Sequence, residues 1–210
     1  MIRICIADDH EILRQSMEQI LLKTPDIRVV DQAGTGEMAI AKALENDYDL
    51  LLLGVSMSDW NGIEVLKTLK NMKPGLKVLI LSMHGGDLYA VRALKAGASG
   101  YLTKDSTIDE LVLAIRRIAQ GKKYVSSSLA ERLAFALGPD TDIPAHERLS
   151  DREYQVMVMI ATGKNIKAIG HELSLSPKTI TTHKKRILEK LNLNNIAELI
   201  RYILEHGLMQ

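Results

Sequence analysis

The chain is expected to fold as an α/β protein: a five-stranded parallel doubly wound sheet followed by a second, smaller all-α domain of four helices. Over the first 120 residues short apolar runs alternate with longer amphipathic stretches, the mark of strands and crossover helices in a parallel sheet covered on both faces. After Leu149 the strand pattern stops and apolar residues recur at three-to-four spacing instead. A chain of 210 residues is long enough to bury two such cores.

The strand runs are "IRICIA", "IRVVDQA", "DLLLL", "KVLILS" and "SGYLT". Leu50 to Leu53 have the length and apolarity of a strand buried on both faces, and the run stops abruptly at Gly54. Between the runs lie helical patterns such as "HEILRQSMEQILLK" and "GEMAIAKALEN", and "TIDELVLAIRRIAQG" closes the series with Gly121 as its stop. "SSSLAERLAFALG" then reads as a helix capped by a serine, and "PDTDIPAHER", with two prolines, as a linker. "SDREYQVMVMIATG", "NIKAIGHELSL", "SPKTITTHKKRILEKLN" and "IAELIRYILEHG" supply the four helices of the second domain. The expected boundaries are residues 1–122, a linker with a helix over 123–147, and 148–210.

Composition is that of an ordinary folded protein, which excludes disorder and low complexity. The lone cysteine, Cys5, cannot form an internal disulfide and fits a reducing compartment. An acidic pair within nine residues of the start leaves no room for the apolar core of a signal peptide, and no run approaches membrane-spanning length. A cytoplasmic protein with no membrane partner is expected. The formal net charge of +1 hides an asymmetry. Residues 1–124 carry sixteen bases and sixteen acids, whereas residues 163–190 carry seven bases against two acids. Such a basic segment is either a nucleic-acid surface or a solvated helical face.

In an open parallel sheet, ligands bind beyond the carboxyl ends of the strands. Asp8, Asp9, Gly54, Ser82 and Lys104 fall there. Two adjacent carboxylates suit a hard cation such as Mg2+; alternatively, one of them caps the helix beginning near His10.

"IADDHEILRQSM", "LLLGVSMSDWNGIEVL", "LILSMHGG", "ALKAGASGYLTKD" and "LVLAIRRIAQGKKYVS" together resemble, in order and spacing, the receiver domain of two-component response regulators. The resemblance covers the whole first domain and implies a flavodoxin-like fold. In that family a strand-three aspartate accepts a phosphoryl group from a sensor histidine kinase and an acidic pair holds magnesium. A Ser or Thr, an aromatic and a lysine respond to the phosphoryl group. Asp8, Asp9, Ser82, Tyr101 and Lys104 match those positions, but Gly54 stands where the acceptor belongs and Ser58 where proline is usual. Glycine cannot carry a phosphoryl group, so switching by phosphorylation at this position is expected to be lost. Neither Ser56 nor Asp59 is placed to substitute. No cofactor is required, and Mg2+, having lost a carboxylate and the phosphoryl oxygen, is expected to bind weakly if at all.

The helical segment "LSDREYQVMVMIATGKNIKAIGHELSLSPKTITTHKKRILEKLNLNN" resembles the LuxR-type helix-turn-helix of the NarL/FixJ subfamily. Independently of that likeness, Ser176 can cap a helix that has Pro177 at its first position. Ile180, Ile187, Leu188 and Leu191 then form an inward stripe, leaving Thr181, Thr182, Lys185 and Glu189 outward, as a helix in a major groove requires. Thr181, Thr182 and Lys185 are the candidates for base contacts; Lys164, Lys178, Thr179, Lys184 and Arg186 are those for phosphates. His183 lacks a second ligand and is expected to pack or touch a phosphate. The last helix carries more apolar residues than its core needs, and by the resemblance it dimerises the protein near Ile196 to Ile203.

The chain is thus expected to be a non-enzymatic transcription regulator that binds double-stranded DNA as a homodimer, with a receiver that cannot be phosphorylated at the usual position. Two other classes stay open at this point: a receiver that sequesters a kinase or partner regulator, and a magnesium-dependent enzyme built on Asp8 and Asp9.

Overall fold

The computed structural model describes residues 1–82, 87–126, 129–130 and 144–208. The chain divides into two compact units, Met1–Leu133 and Ala134–Gln210. The first holds β1 (Ile2–Ala7), α1 (Glu11–Leu21), β2 (Ile27–Ala33), α2 (Gly36–Glu45), β3 (Leu50–Gly54), α3 (Gly62–Met72), β4 (Val78–Ser82), α4 (Asp87–Lys95), β5 (Gly100–Thr103) and α5 (Ile108–Ala119).

The sheet is parallel throughout, in the order β2-β1-β3-β4-β5. β3 at its centre and β4 beside it are the most apolar runs, and every residue of both is buried, because crossover helices cover both faces. On one face Ile4, Ile6, Leu50, Leu52, Leu79 and Leu81 pack with Met17 and Leu21 of α1 and with Leu111, Ile115 and Ile118 of α5. The alternate residues Cys5, Leu51, Leu53 and Ile80 are equally buried on the other face. The side chains of Thr35, Asn61 and Thr107 accept backbone N–H groups at the starts of α2, α3 and α5, satisfying donors that a helix leaves open.

In the second unit a short 3-10 turn (Ala145–Arg148) precedes α6 (Asp151–Ala161), α7 (Ile166–Glu172), α8 (Pro177–Leu191) and α9 (Ile196–Glu205). Ser150 and Glu153 form a reciprocal capping box on α6. Ser176 accepts the Thr179 N–H at the start of α8, with Pro177 in the first turn, as the sequence implied. Tyr154, Met157, Ile169, Leu173, Ile180, Ile187, Leu191, Leu199 and Ile203 are buried; Leu188 is half-buried. A Cβ on Gly170 would come 2.7 Å from the Leu175 carbonyl oxygen. The turn between α7 and α8 is therefore closed at a separation only glycine tolerates.

Of the helix expected in "SSSLAERLAFALG", Leu129 and Ala130 are helical, with the Leu129 N–H 3.4 Å from Ser126 Oγ. The remainder of that segment, and the linker through residue 143, lie outside the described residues. Among the described residues no helix is long and apolar enough to cross a membrane.

Candidate functional site

Four strands bring the candidate residues to one end of the sheet. Asp8 follows β1, Gly54 ends β3, Ser82 ends β4 and Lys104 follows β5. Backbone hydrogen bonds hold them in register: Asp8 N–H to the Ala33 carbonyl at 3.1 Å, Val55 N–H to Leu81 at 3.0 Å and Lys104 N–H to Ser82 at 2.7 Å. The Lys104 ammonium lies 2.5 Å from Asp8 Oδ2, with both side chains almost completely buried at 5% and 2% exposure. Ser82 and Tyr101 are each 2% exposed.

Two residues that the sequence argument passed over complete the acidic corner. His10 Nδ1 lies 3.1 Å from Asp8 Oδ1 and 2.8 Å from Asp9 Oδ1, and the Arg14 guanidinium donates to the Asp8 carbonyl at 2.5 Å. The "DDH" adjacency was the available signal for His10. Burial, with the Asp8 charge adding to it, raises the Asp9 carboxyl above its ordinary value against the opposing pull of His10. α1 opens at His10, whose own side chain makes no capping bond, but Asp8 Oδ1 accepts the His10 N–H at 3.1 Å, so Asp8 also fastens the start of the helix, the alternative role that the sequence allowed.

A Cβ built on Gly54 would fall 2.5 Å from Asp8 Oδ2 and 3.2 Å from Asp8 Cγ. The Asp8 carboxylate therefore occupies the space a side chain at position 54 would need, and from there it holds Lys104. Asp59 does not enter the pocket. Its carboxylate accepts the N–H groups of Gly36 at 2.9 Å and Glu37 at 3.1 Å, tying the loop after β3 to the start of α2. Burial would raise the Asp59 carboxyl, but those N–H donors hold it below its ordinary value. Ser56 pairs through its backbone with Asn61.

Ligand atoms of Asp8, Asp9 and His10 lie within 4.8 Å of one another. The set does not fit Mg2+, which seeks oxygen ligands in octahedral array. One of the three donors is an imidazole, and one Asp8 oxygen is already held by Lys104.

In the second unit α8 turns Ile180, Ile187 and Leu191 inward and leaves Lys178, Thr181, Thr182, Lys185 and Arg186 exposed; Thr179 and Lys184 are half-buried. Thr181 and Thr182 donate to the carbonyls of Pro177 and Lys178, which leaves their oxygens able to accept from outside. Lys164 is paired with Glu172 at 2.5 Å, and Lys185 is loosely paired with Glu189 at 3.7 Å. Burial lowers the His183 pKa below its ordinary value, so this half-buried imidazole is neutral at pH 7. Lys190 is structural: it reaches Glu153 at 2.6 Å beneath the capping box. On α9, Ile196, Ile200 and Leu204 are 38%, 37% and 63% exposed, a stripe at four-residue spacing that runs beside the buried Leu199 and Ile203.

Residues 4–116 match the response regulator receiver domain family, and residues 147–203 match the bacterial regulatory proteins of the luxR family. The chain belongs to the DNA-binding response regulators of the LuxR family. This response regulator is 36% identical to the response regulator GacA of Pseudomonas protegens over 210 residues, covering 100% of this chain and 98% of that one. It is 33% identical to UvrY of Escherichia coli over 209 residues, covering 99% and 96%. Among solved structures it resembles RcsB from Salmonella enterica serovar Typhimurium bound to promoter rprA in the presence of phosphomimetic BeF3−. That likeness has TM-score 0.66 and 25% identity, over 96% of this chain and 97% of the other. A receiver domain at the amino end and a LuxR-type helical domain at the carboxyl end place the acidic corner and α8 in the two units from which such a regulator is assembled.

Proposed function

We propose that this response regulator binds double-stranded DNA through α8 as a homodimer, with a receiver that takes no phosphoryl group at position 54. The observation that carries the first part is the sidedness of α8. Its apolar residues are buried in the unit while Thr181, Thr182 and Lys185 stand together on the open face, where a helix lying in the major groove reads base edges. Lys178, Lys184 and Arg186 flank that face and neutralise phosphates, with Thr179 beside them at the helix start. Lys164 contributes more weakly because Glu172 already partners it. RcsB bound to a promoter is a structural precedent for this mode. The exposed stripe of Ile196, Ile200 and Leu204 supports α9 as the dimer contact, since burying it against its copy removes apolar area from water.

Gly54 and the Asp8 to Lys104 ion pair support the second part. The lysine that would meet a phosphoryl group is already neutralised, and the acceptor carboxylate is missing. Mg2+ binds weakly, because it must displace Lys104 from Asp8. The protein works in the cytoplasm without catalytic turnover of its own. A sensor kinase that docks on the receiver transfers nothing to residue 54, so DNA occupancy follows protein concentration or another partner.

The test is fluorescence anisotropy on the DNA upstream of the protein's own gene, comparing this chain with Gly54→Asp, each with and without a small phosphodonor and Mg2+. Binding that weakens linearly with the logarithm of salt concentration, and that ignores the donor in this chain, is expected. Salt-independent or absent binding overturns the DNA reading; tightening of the Gly54 chain by donor overturns the switching reading.

A further inference from the structure

The opposite end of the receiver sheet carries a second feature that the phosphoryl pocket does not use. A cavity of about 210 Å3 opens beside the amino ends of β4 and β5, and Lys70, Lys77, Lys122 and Lys123 line it together with Ser99 and Gly121. No carboxylate is among its lining residues. Lys70 and Lys77 are half-buried, and each spends one ammonium hydrogen on a backbone carbonyl: Lys70 on Leu76 at 2.6 Å and Lys77 on Ala119 at 2.8 Å. Two donors remain on each ammonium. Lys122 and Lys123 are exposed.

Four like charges around one small cavity repel one another unless an anion sits between them. Consistent with that crowding, burial and the neighbouring Lys123 charge lower the Lys70 pKa from its ordinary value. Gly121, at φ +83°, has nothing within 4 Å of where a Cβ would stand, so the rim is open to a ligand. The cavity is smaller than the roughly 300 Å3 at which pockets for drug-sized molecules begin, which selects a compact ligand.

We infer that this cavity binds a compact multivalent phosphate, such as pyrophosphate or the terminal diphosphate of a nucleotide. Bound there, the anion ties the segment Gly121–Tyr124 to the sheet. That segment is already fastened by the Tyr124 N–H to Ser99 carbonyl bond at 3.0 Å and the Tyr101 N–H to Tyr124 carbonyl bond at 3.1 Å. The site is therefore positioned to stiffen the start of β5, one residue before Tyr101.

Isothermal titration of the full chain with phosphate, pyrophosphate and ADP, at matched ionic strength and without divalent ions, tests the assignment. Saturable binding at one site per chain is expected, strongest for pyrophosphate or ADP. K122Q/K123Q should weaken it by about tenfold, whereas K184Q/K185Q on α8 should leave it unchanged. Tighter binding of ADP than of pyrophosphate assigns the site to a nucleotide diphosphate; equal affinity or preference for pyrophosphate assigns it to the diphosphate group alone. Absence of saturable binding, loss in K184Q/K185Q in place of K122Q/K123Q, or indifference to K122Q/K123Q overturns the inference.

Discussion

Replacing Gly54 by aspartate should destabilise the receiver unit in the absence of divalent ions, even though it restores the residue expected of the family. The new Cβ would stand 2.5 Å from Asp8 Oδ2, so Asp8 must rotate and its 2.5 Å contact with Lys104 must be shared or broken. Two carboxylates about 4 Å apart at an effective dielectric near 20 repel by about 4 kcal/mol. Sharing Lys104 between them recovers roughly a third of this, and removing a glycine from a strand end returns about 0.5–1 kcal/mol. The expected net cost is about 2 kcal/mol at pH 7.5, summed from these three terms. A carboxyl in such a cluster has its folded pKa raised, so the penalty is present above that pKa and is relieved as pH falls through it. Mg2+ should relieve it as well. Urea unfolding followed by the fluorescence of Trp60, the single tryptophan, in the β3 to α3 connection, reports this unit directly. A Gly54→Asp chain as stable as its parent in chelator at pH 7.5 would refute the claim that Asp8 fills the acceptor's place.

Three further outcomes are expected. Lys190→Met leaves the buried Glu153 carboxylate without its 2.6 Å partner and should cost the helical unit about 3 kcal/mol at pH 7, seen in thermal unfolding by circular dichroism. Burial alone would raise the Glu153 carboxyl, but Lys190 and the Ser150 N–H hold it below its ordinary value. The stability this contributes is present above the ordinary carboxylate pKa and is lost as pH falls through the lower folded value, so parent and variant should converge in acid. Gly170→Ala places a methyl 2.7 Å from the Leu175 carbonyl and should lose about 1–3 kcal/mol, with DNA affinity falling because α8 is displaced. Arg186→Ala should weaken binding to all DNA sequences and reduce the salt slope by about one, whereas Lys185→Ala should relax discrimination at one base position, as competition anisotropy with altered sites would reveal.

The alternation of five apolar runs with amphipathic stretches was enough to place all five strands, because a sheet buried on both faces demands residues such as Leu50–Leu53 that little else in a soluble chain requires. Local chemistry likewise made the start of α8 legible: serine, proline and the Ile180, Ile187, Leu191 stripe act within a few residues of one another. Contacts set by the meeting of distant strands were not legible. Nothing near Asp8 in sequence indicates that its carboxylate turns into the space left by Gly54, nor that Asp59 turns away to cap α2 across 23 residues of chain.

The sequence alone determined the strand and helix periodicity, the basic bias of residues 163–190 and the absence of an acceptor side chain at position 54, since each is a property of residue type and spacing. Only the tertiary structure decided what fills that gap, which lysines converge without carboxylates at the far end of the sheet, and which bases of the helical unit already have partners. Those outcomes depend on distances between residues far apart in the chain, and a separation of a few ångströms decides whether a charge is paired, buried or free to meet a ligand.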